Sequence, residues 1–398
     1  MPWSETSPMD QKRLFIQDYV HGSFSMSELC RRYGVSRKTG YKWIGRFEQE
    51  GLEGLRDRSR RPHGSPSATP CDQVEAILEL RRRHPFWGAK KLLHVLQTRQ
   101  PKTLWPGRST VCDILKRHGA IEGRKRRRYP GHGGRPRTPM MHPNEIWCAD
   151  YKGEFKTTDG RYCYPLTVTD GYSRFLLACR GRSSTAHEGA KPVFQRLFRE
   201  YGLPHVIRTD NGVPFATTAL GRLSRLSVWW VRLGIYPELI EPGHPEQNGR
   251  HERMHRTLKQ HTARPPASTG RAQQRRFDRF RQEYNTERPH EALAQRTPES
   301  LYERSRRPLP RRLPELEYPA HFEIRLVSRN GGIRWSSAWV NVSHVLGEEY
   351  VGLEEVGDGI WDVYFGPLRL GQMDERTRKI EDALGRRARK RVLPMSPD

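Results

Sequence analysis

Three carboxylates stand out by where they fall. Asp150 closes the segment Ile146-Trp147-Cys148-Ala149, and Asp210 closes His205-Val206-Ile207-Arg208-Thr209 just before Asn211-Gly212. A third acid lies in EPGHPEQNGRHERMHRTLKQ, a stretch with almost no apolar content, where Glu241, Glu246 and Glu252 compete. Glu246 sits in a Pro/Gly loop that would fix a carboxylate poorly. Glu252 falls early in a helix expected to run from about Gln247 or Gly249 to Gln260, and a rigid element holds a metal ligand better. Arg256 and Lys259 follow one and two turns later on the same face. Such a carboxylate is odd as a plain salt bridge. It makes sense if the acid holds a divalent metal and the cations hold phosphates. Three hard oxygen ligands from separate elements suit Mg²⁺ or Mn²⁺. Two such ions about 4 Å apart activate an attacking oxygen and stabilise a leaving one. A chain of 398 residues has scattered acids in any case, so the weight lies in what surrounds these three.

The elements that must position them read as a mixed sheet. IWCADYKGEF, YCYPLTVTD, RFLLACRG, HVIRTD and IYPELIE have the pattern of five short strands. Helices are expected over 186–201 and 216–232, giving the order β-β-β-α-β-α-β-α. Hairpin-like strands followed by strand-helix alternation predict a mixed sheet covered by helices, with Asp150 and Asp210 at strand ends. Asp170 also follows a strand, but it begins Asp-Gly and reads as a turn residue. Residues 273–303 are expected to be helical. After a Pro/Arg linker, FEIRLVS, IRWSSAWVNV, EEYVGLEEV and WDVYFGPLRL fit a small β-barrel. The tail reads as a short helix and a disordered basic end.

Towards the N-terminus the pattern is helical. Leu14, Phe15 and Tyr19 mark an apolar face on a first helix. Ser27 is the expected cap of a short second one carrying Leu29 and Cys30. Tyr33-Gly34-Val35 makes a turn with Gly34 where a left-handed residue is needed. Ser36 then caps a third helix, which turns Arg37, Lys38, Thr39, Tyr41 and Lys42 outward while Trp43, Ile44 and Phe47 pack. Helix, Gly-containing turn and capped helix make a helix-turn-helix, and cations with hydroxyls at the start of its last helix suit a DNA major groove. An ordinary helical hairpin is the competing reading; the coincidence of cap, turn and cations favours DNA. Residues 72–119 repeat the theme more weakly, with Leu92, Leu93 and Leu96 on one helix and a further helix capped by Ser109. The segment IEGRKRRRYPGHGGRPRTPM that follows is a basic connection suited to phosphate backbone.

Charge agrees. The chain carries 71 Lys+Arg against 45 Asp+Glu, a formal net charge of +26, which predicts a polyanionic partner, most simply nucleic acid. Six dispersed cysteines without a CxxC pair argue against a structural zinc and for a reducing compartment. The opening MPWSETSPMDQKR lacks the apolar core of a signal peptide, and no run approaches the roughly 20 apolar residues of a membrane span. A cytosolic protein on the chromosome, with no membrane partner, is the expectation.

WCADYKGEF, then VIRTDNGVPF, then PGHPEQNGRHERMHRTLK together resemble the integrase core of DDE transposases, most closely bacterial insertion-sequence transposases whose core is similar to retroviral integrase. YNTERPHEALAQRTPESLY looks like the segment that follows that core. The resemblance covers about 140–300. It implies an RNase H-like core and assigns Asp150, Asp210 and Glu252 as catalytic metal ligands for two Mg²⁺ (or Mn²⁺). It makes Lys259 a contact to the element's DNA end and implies that Asn211, Gly212, Asn248 and Gly249 shape the active-site loops. His244 and His251 fall either near DNA or simply at the surface. The reaction implied is cleavage at the element's terminal inverted repeats, then attack of the 3′-hydroxyl on target DNA, in a homo-oligomer on double-stranded DNA in the bacterial cytoplasm, associated with the nucleoid. Two departures stand: the 41 residues 211–251 between the second acid and Glu252 exceed the interval in many relatives, and helix-turn-helix units replace the retroviral His/Cys zinc module.

The expected architecture is therefore multidomain, α and α/β. It runs as a helix-turn-helix domain (1–56), linker (57–71), second helical domain (72–122), basic linker (123–140), RNase H-like core with following helices (141–303), linker (304–319), β-barrel (320–372) and basic tail (373–398). Two other classes compete: an idle DNA-binding repressor derived from a transposase, and an RNase H-like nuclease without transposition.

Overall fold

The computed structural model describes residues 7–59, 68–121, 138–241 and 244–383, with the backbone alone at Pro245 and Glu246. Most of the expected basic linker (122–137), part of the first linker (60–67) and the end of the tail (384–398) lie outside the described residues. The chain divides into two compact units, Met1–Pro70 and Cys71–Asp398.

The first unit holds α1 (Pro8–Val20), α2 (Met26–Arg32) and α3 (Arg37–Glu50). Its core is Phe15, Ile16, Leu29, Cys30, Ile44 and Leu55. The face of α1 therefore turns on Phe15 and Ile16; Leu14 and Tyr19, expected to share it, are exposed. The cap of α2 is Ser25 rather than Ser27. Its hydroxyl accepts from Glu28 N while the Glu28 carboxylate accepts from Ser25 N, a reciprocal capping box. Gly34 takes a left-handed φ of 62°, and Ser36 caps α3 by accepting from Thr39 N.

The second unit begins with α4 (Cys71–Arg83), α5 (Ala89–Arg99) and α6 (Arg108–Arg117), three helices packed on Ile77, Trp87, Leu92, Val111 and Ile114. The cap of α6 is Gly107, without a side-chain hydrogen bond; Ser109, the expected cap, lies inside the first turn.

The central sheet contains β1 (Ile146–Tyr151), β2 (Phe155–Lys156), β3 (Tyr162–Asp170), β4 (Leu176–Arg182), β5 (Val206–Thr209) and β6 (Tyr236–Leu239). The strand order is β2-β3-β1-β5-β6, with β4 also on β3. β1 is antiparallel to β3 and parallel to β5, so the sheet is mixed as expected. α7 (His187–Tyr201) and α8 (Arg225–Arg232) cover one face through Phe194, Phe198, Leu226 and Trp230. α9 (Gly249–Thr262) and α10 (Gly270–Thr286) cover the other through Met254, Leu258, Phe277 and Phe280. α8 is half the expected length: Gly221 and Arg222 both have positive φ, and Ser224 restarts the chain with a capping box. The helix expected to reach 303 stops at Thr286, three residues before Pro289, which cannot continue it.

The last strands are β7 (Glu323–Leu326), β8 (Gly332–Trp335), β9 (Ala338–Asn341), β10 (Tyr350–Gly357), β11 (Ile360–Phe365), β12 (Leu368–Asp374) and β13 (Lys379–Asp382). Among the described residues the expected barrel does not close. A five-stranded antiparallel sheet, β13-β12-β11-β10-β7, stays open, and β8-β9 is a separate hairpin. The hairpin's Ile333, Trp335 and Val340 fill the core against Val351, Leu353, Val363 and Phe365, so two layers bury the apolar residues without ring closure. The tail enters this sheet as β13 where a short helix was expected. Among the described residues no helix is long and apolar enough to cross a membrane.

Candidate functional site

Register places the first two acids. Ala149 on β1 lies beside Thr209 on β5 in the parallel pair. One residue further along each strand come Asp150 and Asp210, at the C-terminal edge where the sheet opens. Buried apolar neighbours hold β1 rigid: Trp147 and Ala149 are fully enclosed. Burial, with the charge of Asp210 and to a lesser degree that of Glu252, pushes the Asp150 carboxyl up to about 7. Burial likewise raises Asp210, although Gly212 N donates to its Oδ1 at 3.3 Å. Two half-enclosed carboxyls side by side resist simultaneous ionisation, and such a pair gains from any cation placed between them.

Glu252 stands in the first turn of α9, exposed, with Arg256 and Lys259 exposed on the same side. Its charge reaches Asp150, so the three acids share one electrostatic neighbourhood. Among the described residues, however, no three His, Cys, Asp or Glu side chains converge closely enough to hold a metal ion.

The flanking loops are fastened. Asn211 Nδ2 donates to Ile240 O at 2.9 Å, and its Oδ1 accepts from Arg222 at 2.8 Å. Glu241 N donates to Gln247 Oε1 at 3.0 Å. Asn248 is buried at the N-cap of α9, and Gly249 opens the helix. Asp170 is the buried turn residue expected, accepting from Asn144 N, Ser173 N and Ser173 Oγ at 2.6–2.7 Å.

His251 is not at the surface. It is 1% exposed, and with His255 it forms a polar seam between α9 and the sheet. Thr167 Oγ1 lies 2.7 Å from His251 Nε2 and 2.6 Å from His255 Nε2, and it donates to Asp150 O at 3.1 Å. His251 Nδ1 lies 2.8 Å from Thr169 Oγ1. Burial pushes His251 down to about 3 and lowers His255 as well. The 3.6 Å approach of His255 Nδ1 to Asp150 Oδ2 is thus a contact with a neutral ring, not an ion pair. His255 and Thr167 escaped the reading of the sequence, yet a signal was there: His251, Met254, His255 and Leu258 follow the i, i+3, i+4, i+7 spacing of a buried helix face. His244, by contrast, is exposed, 3.9 Å from Glu241.

In the first unit Arg37, Lys38, Tyr41 and Lys42 are exposed on α3. Thr39 is half-buried, its hydroxyl 2.9 Å from Ser36 Oγ. Lys42 also leans on the Trp43 ring, 4.9 Å from its centroid.

Sequence comparisons agree with this geometry. The integrase core domain family matches residues 141–245, and a second integrase core domain family matches 233–298. A helix-turn-helix domain matches 11–63 and a homeodomain-like domain 39–115. The chain thus combines helix-turn-helix domains with an integrase core. The Gag-Pol polyprotein of baboon endogenous virus is 34% identical over 141 residues, 35% of this chain and 8% of its own length. The uncharacterized 31.7 kDa protein of insertion element IS407 from Burkholderia multivorans is 27% identical over 179 residues, 45% of this chain and 58% of its own. The chain therefore spans between 8% and 58% of these relatives' lengths. The HTLV-2 integrase catalytic core domain in complex with magnesium matches at 14% identity, covering 42% of this chain and all of that one, with a TM-score of 0.33.

Proposed function

We propose that the protein is a DNA transposase, a divalent-metal-dependent polynucleotidyl transferase whose catalytic acids are Asp150, Asp210 and Glu252. The observation that carries this is the pairing of Asp150 with Asp210 at one sheet edge, in reach of Glu252's charge. The donor set fits Mg²⁺ or Mn²⁺: all three are hard carboxylate donors, two of them half-enclosed and raised by burial, Asp150 also by the charge of Asp210. Bound there, two ions would supply Lewis-acid activation of an attacking oxygen and neutralise charge on a leaving one.

The chain's own residues supply position. β1 and β5 fix Asp150 and Asp210, Thr167 anchors the Asp150 backbone, and the neutral His251–His255 seam holds α9 against the sheet. Arg256 and Lys259 hold phosphates of the element's end, while Arg37, Lys38, Thr39, Tyr41 and Lys42 read and grip double-stranded DNA. Water attacks a phosphodiester at the terminal inverted repeat and releases a 3′-hydroxyl. That hydroxyl attacks a target phosphodiester, forming the new strand junction and releasing a target 3′-hydroxyl. No covalent protein–DNA intermediate is needed. Two ends must be joined, so the working form is a homo-oligomer on DNA, placed in the bacterial cytoplasm at the nucleoid. The finer domain division given above belongs to the same proposal.

The test is incubation with a duplex carrying the element's terminal repeat, a target plasmid and Mg²⁺. The expected result is end-specific nicking followed by joined product. Tight binding without strand cleavage would instead identify a repressor, and cleavage without end specificity a nuclease.

A further inference from the structure

A second cluster of charge begins on α9 beside Arg256. Arg253 projects from that helix about 100° around from Glu252 and about 60° from Arg256, and Arg250 about 160° from Glu252; both arginines are exposed. Arg250 Nη1 donates to Gly171 O at 3.0 Å, which ties the helix to the turn between β3 and β4. Arg174, three residues further along that turn, is half-buried, and its Nε is enclosed without a hydrogen-bond partner. Arg288, in the segment after α10, is also half-buried, with Nη1 enclosed and without a partner. From α5, Lys91 reaches the carbonyl of Pro289, next to Arg288. The ring of His290 packs on buried Tyr284 at 4.7 Å.

Burial and like charge act on these groups together. Burial lowers Arg174, and Arg250 and Arg253 lower it further. Burial pushes Lys91 down to about 7, with Arg288 adding to it. Burial pushes His290 down to about 3, with Lys91, Arg288 and Arg174 all contributing. The hydrogen bonds of the neighbouring acids go elsewhere, Glu283 to His84 at 2.9 Å and Glu291 to Lys90, and their charges offset Arg288 and Lys91 only in part. Cations drawn together from four elements, partly out of water, with enclosed donors lacking acceptors, are costly unless an anion completes them.

We infer that Lys91, Arg174, Arg253 and Arg288 form a phosphate-binding cleft for the backbone of DNA. It adjoins the helix face that carries Glu252, Arg256 and Lys259 and extends from it toward the turn between β3 and β4, where Arg250 meets Gly171. The inference rests on the proposed function, since it takes DNA as the substrate and names a second place where its backbone is held. Exposed Arg253 forms the rim and half-buried Arg174, Lys91 and Arg288 the floor. A phosphodiester is the fitting ligand: it is an obligate anion with two acceptor oxygens, matching guanidinium forks.

The experiment compares full-length wild type with Arg174→Gln/Arg288→Gln. Binding of a terminal-repeat duplex is measured by fluorescence anisotropy over a series of salt concentrations, with thermal melting of the DNA-free proteins alongside. The double variant is expected to bind about tenfold more weakly and to show a log K against log salt slope shallower by about one unit. Its DNA-free melting temperature should equal or exceed that of wild type, because enclosed Arg174 Nε and Arg288 Nη1 have no hydrogen-bond acceptor to lose. Arg288→Lys, which keeps the charge, should retain most of the affinity. Unchanged affinity and slope in the double variant, with wild type binding normally, overturn the cleft alone. So does a lowered melting temperature with unchanged binding, which marks a structural role. If inorganic phosphate stabilises wild type but not the double variant while both bind DNA equally, the site takes a free anion and the inference falls. Wild type that binds no DNA overturns the functional reading and the cleft with it.

Discussion

At the residue scale the decisive fact is that Asp150 and Asp210 adjoin where burial penalises charge. The Asp150 carboxyl sits at about 7, well above the ordinary aspartate value of 3.8 that the unfolded chain would show. Between those values the folded state holds a proton that the unfolded state releases, so stability falls as pH rises from about 4 to about 7 and stays reduced above that. In metal-free buffer Asp150→Asn should therefore melt higher than wild type at pH 8 and about the same at pH 4. Added Mg²⁺ should raise the melting temperature of wild type at pH 8, by mass action on the ionised form, and leave Asp150→Asn nearly unmoved. A variant less stable than wild type at pH 8 would contradict this. The placement of Asp150, Asp210 and Glu252 was legible because each sits in a local pattern: a strand end, a strand end before Asn-Gly, and a helix start after Asn-Gly. The burial of His251 and His255 was harder to see. A histidine-rich helix looks solvated until Thr167 and Thr169 are known to lie beneath it, and those threonines come from a strand more than eighty positions earlier.

At the element scale, helices with caps and apolar stripes were readable, and their exact ends were not. Ser25 and Ser27 both precede the apolar residues of α2, and only the reciprocal bond with Glu28 decides for Ser25. β8 and β9 have the alternation of barrel strands. Nothing local tells whether such a hairpin joins a ring or lies across a sheet, because long-range pairing settles it. Packing in the helix-turn-helix makes a sharper prediction. A Cβ on Gly40 of α3 would meet Cys30 Sγ at 2.8 Å, Phe15 Cζ at 3.1 Å and Met26 Sδ at 3.4 Å. Overpacking of this kind costs about 1–3 kcal/mol, against a gain of about 1 kcal/mol from helix propensity. Gly40→Ala should lower the melting temperature of the first unit and weaken DNA binding; an unchanged or higher melting temperature would show that α3 shifts freely on α1 and α2.

Across the whole molecule, charge was apparent from composition, a net +26, and the order of elements from local patterns: helices ahead of a mixed sheet, and β-rich residues after it. The basic cleft was not, because Lys91, Arg174, Arg253 and Arg288 are spread over nearly two hundred positions and meet only when α5, a strand turn, α9 and the segment after α10 are assembled. Every part of this arrangement serves one claim, that DNA held by surrounding cations meets Asp150, Asp210 and Glu252 at one sheet edge. The most direct measurement is Mg²⁺-dependent strand joining by wild type, Asp150→Asn, Asp210→Asn, Glu252→Gln and Glu246→Gln, with DNA binding followed in parallel. Each substitution at the three acids should reduce joining by at least about a thousandfold, or roughly 4 kcal/mol of transition-state stabilisation, and leave DNA binding largely intact, while Glu246→Gln keeps its activity. Full joining by Glu252→Gln together with its loss in Glu246→Gln would contradict the account.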